Sequence, residues 1–345
     1  MRPMNAPFGD VSYLARVRRL RSVAVVALAR YPVKVRSLEL VRHGENTTFR
    51  VDARGGRYLL RVHRSGYHSR AAIEEELTWL ELLARAGLPV PEPVRSQHGE
   101  WVQSVACSAV PATMRCSMLR WLDGRFIRKS LSPSHLYRVG GMLADLQTHA
   151  PSAVAHRRYW SAEGLVGRQP TFGRIDALTG IRPELQAAIS RARQRVLTKL
   201  RRFEQQFPNR LGLIHADLHF GNILSAGKRL LAIDFDDCGH GFHGYDLAVP
   251  LISVEGMLGE EGRKQLPAFE HALLSGYSAK RTWDRHDERV FPYLIAARRL
   301  AMLGWLNSRR DDPRLKKVLA PAAERAVKSL RRHPRLAGLF TSAAE

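Results

Sequence analysis

From Lys34 to His63 the chain alternates polar and apolar residues (KVRSLELVRHGENTTFRVDARGGRYLLRVH), with breaks at His43-Gly44 and Gly55-Gly56. A period of two marks strands with one buried face, and such breaks are where strands turn, so the stretch predicts three antiparallel strands. Between Ser69 and Ala86 the period lengthens: Leu77, Leu80 and Leu83 share one helical face, and Gly87 then Pro89 close the helix. Strand-like segments follow around Val94, at Trp101–Val105 and at Cys116–Leu122. Past Asp123-Gly124 helical periodicity dominates, over Pro133–Thr148, Pro183–Phe207, Gly262–Tyr277, Val290–Ser308 and Leu315–His333. One strand-rich island, Leu211–Phe235, interrupts these helices. Near the start, the apolar run Val23–Ala29 behind Arg16, Arg18, Arg19 and Arg21 has the outline of a short secretory signal. It continues straight into strand-like sequence and meets Tyr31-Pro32, which fits an amphipathic helix stopped by proline. The expected organisation is an N-terminal helical extension (1–33), a small antiparallel lobe with one main helix (34–122) and a larger, mainly helical lobe (123–345). The fold class is α+β.

Composition changes this picture little. A content of 45% hydrophobic and 25% charged residues is ordinary for a globular chain. No stretch approaches the roughly 20 apolar residues of a membrane span. Three cysteines without a CxxC pair argue against a disulfide framework and for the cytoplasm. The net charge of +23 favours anionic ligands. The arginines are nevertheless spread along the chain rather than gathered in a tail or an aromatic-interleaved cluster, so nucleic acid is not the expected partner.

The island carries the chemistry. In LIHADLHFGNIL, Asp217 precedes Asn222 by five residues, and Asp234 follows twelve later at the end of LLAI. Phosphoryl transfer needs a carboxylate to orient and deprotonate a hydroxyl, oxygen ligands for magnesium and a cation for the phosphates. Asp217 suits the first role, and Asn222 and Asp234 supply the hard oxygens magnesium prefers.

His215-x-Asp217-x-x-x-x-Asn222 followed by Ile233-Asp234-Phe235 resembles the aminoglycoside phosphotransferase and choline kinase superfamily, near its homoserine-kinase-like and bacterial stress-response-kinase branches. The resemblance covers roughly residues 20–310. GENTTFRV (Gly44–Val51) resembles the first hairpin, YLLRVHR (Tyr58–Arg64) the strand bearing the phosphate-gripping cation, and EELTWL (Glu75–Leu80) the helix bearing its acidic partner. MLRWLDG (Met118–Gly124) resembles the hinge that pairs with adenine, and GYDLA (Gly244–Ala248) the family's aspartate-leucine-alanine segment. The resemblance implies a bilobal protein-kinase-like fold and a kinase using ATP and Mg2+. It makes Asp217 the catalytic base and Asn222 and Asp234 the metal ligands. Glu76 pairs with Arg61 on the third strand, backbone groups of Arg120 and Leu122 bond adenine, and amides around Asn46 cover the phosphates. His215 and Asp246 brace the catalytic loop, while His219 either contacts phosphate or caps that loop.

Two departures stand out. Arg61 replaces the usual lysine, and arginine is not a conservative exchange at a bidentate site. RHGENTTF has one glycine where protein kinases carry a Gly-rich loop. Few residues separate Asp234 from GYDLA, too few for a long activation loop, so the expected acceptor is a small-molecule hydroxyl. A polycationic aminoglycoside is disfavoured by the charge of +23; a hydroxy amino acid fits better. The Arg157–Trp160 and Phe172–Arg174 insert is read either as acceptor pocket or as core. In Cys238–His243, Cys238, His240 and His243 are possible zinc ligands, but such sites normally take four with paired spacing, so a turn lining the acceptor pocket is expected. The alternatives are a stress-response-type Ser/Thr protein kinase acting on a protein substrate, a nucleotide-binding pseudokinase and an RNA-associated basic module. Oligomeric state is not legible.

Overall fold

In the computed structural model, which describes residues 11–340 except 128–130, 153, 313–314 and 316, contacts divide the chain into two units. One runs to Arg125 and takes in Leu231–Asp236; the other comprises Phe126–Leu230 and the chain from Asp237 onward. The boundary falls after Arg125, and the last residues of the Leu211–Phe235 island count with the strand-rich unit. The reason is visible in that unit: the Ala232 amide donates to the Pro89 carbonyl, and Phe235 meets Trp79 edge-on at 5.2 Å.

Helix α1 (Tyr13–Leu28) is capped by the Ser12 hydroxyl. It buries Leu20, Val23, Ala24, Ala27 and Leu28 in one cluster with Phe49, Val51, Leu60 and Val62 of the sheet. Burying a side chain of Leu or Val size contributes about 1.5–3 kcal/mol, so α1 is a structural part of the first unit rather than an appendage. Strands β1 (Val35–His43), β2 (Thr47–Ala53) and β3 (Gly56–Val62) pair antiparallel in sequence order. Strand β2 buries every second residue, as a half-buried strand must. Gly55 makes the β2–β3 turn at φ +93°, a conformation open to glycine. Helix α2 (Arg70–Arg85) starts on the Ser69 hydroxyl, which accepts from the Ala72 amide at 3.0 Å. Its buried face, Ile73, Glu76, Leu77, Leu80 and Leu83, repeats at helical spacing with one charge in it. Strands β4 (Pro93–Val94) and β5 (Gln103–Val105) both pair with β6 (Met114–Arg120), giving the order β1-β2-β3-β6-β4.

After the two-residue strand β7 (Arg125–Phe126), the second unit opens with α3 (Pro133–Thr148), β8 (Arg158–Trp160), α4 (Ala162–Val166) and α5 (Pro183–Gln206). Strands β9 (Leu211–Ile214) and β10 (Ile223–Ala226) follow, then β11 (Arg229–Ala232) and β12 (Gly239–Phe242). The chain finishes with α6 (His243–Leu258), α7 (Leu266–Ser278), α8 (Arg285–Ser308) and α9 (Leu319–Arg332). Helices α3 and α7 cross backbone to backbone: a Cβ on Gly140 would lie 2.0 Å from the Leu273 carbonyl oxygen, and one on Gly276 1.8 Å from that of Tyr137. Helix α8 begins five residues before Val290, on a capping box between Asp284 and Asp287, because Pro292 lies inside it rather than at its start. Helix α6 leaves no trace in the periodicity. Every residue from His243 to Leu251 is buried, so no polar stripe sets a phase.

Candidate active site

In the second unit, β9 delivers the chain into a tight loop in which Ala216 stands at φ +66°. An alanine there is strained and persists only where its surroundings fix it. The fixing group is Asp246, in the first turn of α6 and wholly buried. Its carboxylate accepts the His215 amide at 2.9 Å, the Ala216 amide at 2.7 Å and Gln147 Nε2 at 3.2 Å. Gln147 is itself held by the Tyr277 hydroxyl at 2.7 Å. Burial pushes the Asp246 carboxyl up to about 6, and the two amides, Gln147 and the Arg298 charge hold it back. His215 is buried, and its Nδ1 accepts the Asp217 amide at 3.3 Å.

Asp217 itself is partly exposed. Its Oδ1 accepts from Arg298 Nη2 at 2.5 Å, and His219 Nε2 stands 3.5 Å from Oδ2. The Asp217 carbonyl accepts Asn222 Nδ2 at 3.0 Å, a bond that engages the amide nitrogen and not Oδ1. His219 Nδ1 accepts the Gly221 amide at 2.9 Å, so the imidazole caps the Phe220–Asn222 turn.

In the first unit the centre is Arg61 on β3, 3% exposed. Its Nη1 donates to Glu76 Oε1 at 2.6 Å and stands 3.7 Å from Asp236 Oδ1, while Nη2 stands 4.0 Å from Asp234 Oδ1. Burial works against the guanidinium's charge, but the three carboxylates outweigh it and raise its pKa. His68 Nε2 faces Asp236 at 3.7 Å. Burial would push the Asp236 carboxyl up, yet His68 and Arg61 hold it well below the usual carboxylate range. Asp234, like Ala216, is a non-glycine residue at positive φ, here +64°. One guanidinium among three carboxylates leaves an excess of two negative charges on hard oxygens of the kind a divalent cation takes, although among the described residues no group of three or more His, Cys, Asp or Glu is placed to hold a metal ion by itself.

Thus Arg61, Glu76 and Asp234 come together in one unit, and His215, Asp217, Asn222 and Asp246 in the other. Asn46 is apart from the Arg61 cluster: its Oδ1 accepts the Arg64 amide at 3.1 Å and ties the β1–β2 turn to the end of β3. The Arg120 amide donates to the Glu92 carbonyl at 2.8 Å, so that residue offers a ligand its carbonyl oxygen and not its N–H. Leu122 lies two residues beyond β6 and is half-buried.

The Cys238–His243 segment is not a turn. Gly239–Phe242 form β12, parallel to β8 and antiparallel to β9. The glycines are there for close passage: a Cβ on Gly239 would lie 2.2 Å from the Arg158 carbonyl oxygen, and one on Gly241 2.6 Å from Trp160 Cβ. His240 instead packs on Tyr159 at 5.5 Å, and burial beside Arg281 holds His243 down to about 3. Trp160 and Phe172 of the insert are core residues, 4.8 Å apart. Arg157 is buried with its Nε on the Cys238 carbonyl, whereas Tyr159 is exposed.

Sequence reasoning missed Arg298, Asp236 and His68. Arg298 had a readable signal. It lies four residues after Leu294 and three before Ala301, on the buried face of α8, where an arginine is rare unless paired.

The family model described as the phosphotransferase enzyme family matches residues 37–289. The chain is similar to a homoserine kinase from Nitrobacter winogradskyi, 28% identical over 266 residues that cover 75% of this chain and 74% of that protein. Among solved structures it is similar to the microcompartment-associated aminopropanol kinase, with a TM-score of 0.72 and 27% identity over 93% of this chain and 95% of that one. It also shares its fold with an amicoumacin kinase in complex with AMP-PNP and Ca2+, with a TM-score of 0.74 and 19% identity over 92% and 96% of the two chains.

Proposed function

We propose that this chain, which belongs to the phosphotransferase enzyme family and is a kinase acting on a hydroxyl, moves the γ-phosphate of ATP to a small molecule carrying both a hydroxyl and an amine, such as a hydroxy amino acid. The homoserine and aminopropanol kinases it resembles are named for acceptors of that kind. In this reading Asp217 takes the acceptor's proton, and Asn222 Oδ1 and the Asp234 carboxylate hold Mg2+. Bound Mg2+ neutralises the phosphates and orients them. Arg61 fixes the carboxylates around Asp234, and the Arg120 carbonyl and the Leu122 backbone receive the adenine. The Asn46 turn covers the phosphates with its amides, while His215 and Asp246 brace the loop.

The observation that carries the proposal is the Asp217 loop. A partly exposed carboxylate follows a strained residue, and buried groups fix its backbone on one side and its carboxylate on the other. Preorganisation of that kind serves a reacting group. Among the described residues no helix is long and apolar enough to cross a membrane, and all three cysteines are free, which supports placing the enzyme in the cytoplasm.

The test is transfer of label from γ-labelled Mg-ATP to a panel of homoserine, 1-amino-2-propanol, other amino alcohols and an aminoglycoside, with Asp217→Ala as control. Label on an amino alcohol is the expected result. Label on the aminoglycoside alone or on protein alone, or nucleotide binding without turnover, overturns the reading. The last outcome would trace to arginine standing at position 61 in place of the usual lysine.

A further inference from the structure

The group facing Asp217 from α8 has no place in the roles assigned so far. Arg298 is 5% exposed and gathers three contacts, all on the Asp217 loop or its support. Its Nη2 donates to Asp217 Oδ1 at 2.5 Å, while its Nη1 stands 3.3 Å from the Tyr245 hydroxyl and 3.5 Å from the Ala216 carbonyl oxygen. The rings of Phe172 and Tyr245 lie about its guanidinium, with centroids 5.9 and 6.0 Å away. Burial opposes its charge, and Tyr245 and Asp217 more than compensate. Stability alone does not call for such a group, because a well-packed apolar residue in place of a buried ion pair is often neutral or stabilising.

We infer that Arg298 is a positioning residue for the base: it holds the Asp217 carboxylate and the strained Ala216 turn in one arrangement and leaves Oδ2 as the oxygen that takes the acceptor's proton. This rests on the reading of Asp217 as base. Asp246 grips the turn through its amides, and Arg298 Nη1 lies 3.5 Å from the Ala216 carbonyl oxygen, so the residue at φ +66° has a buried polar group on each side. A planar, permanently charged fork reaches the Ala216 carbonyl and the Asp217 carboxylate together, which an ammonium does less well. On the other oxygen, His219 stands at 3.5 Å, too far for a strong hydrogen bond. Its Nδ1 is occupied as the acceptor of the Gly221 amide, so the neutral ring carries its hydrogen on Nε2. In the transfer the acceptor O–H bond breaks and its proton passes to Oδ2. The acceptor oxygen bonds the γ-phosphorus as the bond from phosphorus to the ADP oxygen breaks, and ADP leaves. A carboxylate free to rotate would present the wrong oxygen part of the time, and small misplacements of a reacting group cost large factors in rate.

The experiment compares Arg298→Met, Arg298→Lys, Asp217→Asn and the double variant Asp217→Asn/Arg298→Met. Each is read for single-turnover transfer to the acceptor found with labelled ATP, and for Mg-ATP affinity by calorimetry. Arg298→Met is expected to lower the transfer rate about 10²-fold, the worth of one charged hydrogen bond at a base, with nucleotide affinity held within about twofold. Arg298→Lys falls between the two, and in one further variant, Arg298→Ala, added guanidinium ion restores part of the rate. Because Arg298 acts through Asp217, adding Arg298→Met to Asp217→Asn lowers the rate no further. An equal further loss in that background overturns the inference and makes Arg298 a contact of the phosphate or of the fold. A crystal structure of Arg298→Met separates this claim from the kinase reading. If wild type transfers no label at all, the reading of Asp217 as base fails; an Asp217 rotamer and Ala216 φ unchanged in that variant sink the positioning claim, whatever the activity.

Discussion

The two charged centres are built as opposites. In the first unit a single guanidinium, Arg61, sits among Glu76, Asp234 and Asp236, all within 4.0 Å. In the second a single carboxylate, Asp217, is met by a guanidinium and an imidazole, at 2.5 and 3.5 Å. Each contains a non-glycine residue at positive φ, Asp234 in one and Ala216 in the other. The difference lies in the net charge. The first centre carries more negative charge than its cation cancels, whereas in the second the charges of Asp217 and Arg298 offset one another. Under the proposed function, the same residue types, arranged with the stoichiometry reversed, would prepare one centre to hold an ion and the other to move a hydrogen.

The largest expected effect tests that division directly. Asp217→Ala should lower phosphate transfer by about 10²–10⁴-fold, the usual contribution of a general base, while Mg-ATP still binds with nearly wild-type affinity. Asp234→Ala should lose transfer as well, but here calorimetry should show nucleotide affinity that no longer depends on Mg2+. Should the Asp217 variant lose nucleotide affinity and the Asp234 variant keep its metal dependence, the two assignments would have to be exchanged.

Stability gives the next contrast. Arg61→Met removes the one cation from a buried group of carboxylates and should cost about 3–5 kcal/mol, the range for breaking a buried pair from one side. Added Mg2+ should return part of that loss. Asp217→Asn leaves Arg298 with the Tyr245 hydroxyl and the Ala216 carbonyl, and Asp217 is partly in solvent, so its cost should be about 1 kcal/mol. Urea unfolding of the two variants measures both. Equal losses would mean that the Arg61 cluster is less dependent on its single cation than its geometry implies.

How much of this the sequence disclosed differs between the centres for a physical reason. The sheet and helix that carry Arg61 and Glu76 are amphipathic, so strict alternation over Thr47–Ala53 and the leucine spacing of α2 revealed them. The elements around Asp217 are buried on nearly all sides. Helix α6 shows no period because it has no exposed face over its first half, and β12 imitates a turn because glycines must clear Arg158 and Trp160. Asp217, Asn222 and Asp234 stood out through their residue chemistry and His215 through resemblance, since their spacing is local. Asp236 and His68 did not, because their meeting depends on a segment that returns to the first unit after more than a hundred residues of the second. Arg298 was legible in principle, as an arginine on an apolar face.

The smallest effect concerns the anchor beneath the second centre. Asp246 is raised to about 6 by burial, against an ordinary aspartate in the unfolded chain near 3.9. The folded state therefore binds this proton more tightly than the unfolded one. The stability it contributes is fully present below about pH 4 and is lost as pH rises through about 6. Asp246→Asn removes the titration. The stability of wild type relative to that variant should thus decline between pH 4 and pH 6 by on the order of 2 kcal/mol, in urea unfolding at closely spaced pH values. A flat difference across that window would mean that the His215 and Ala216 amides offset burial completely and keep Asp246 ionised. The anchor would then hold the loop behind Asp217 equally well at every pH above about 4, and the bracing of the second centre would not depend on pH in that window.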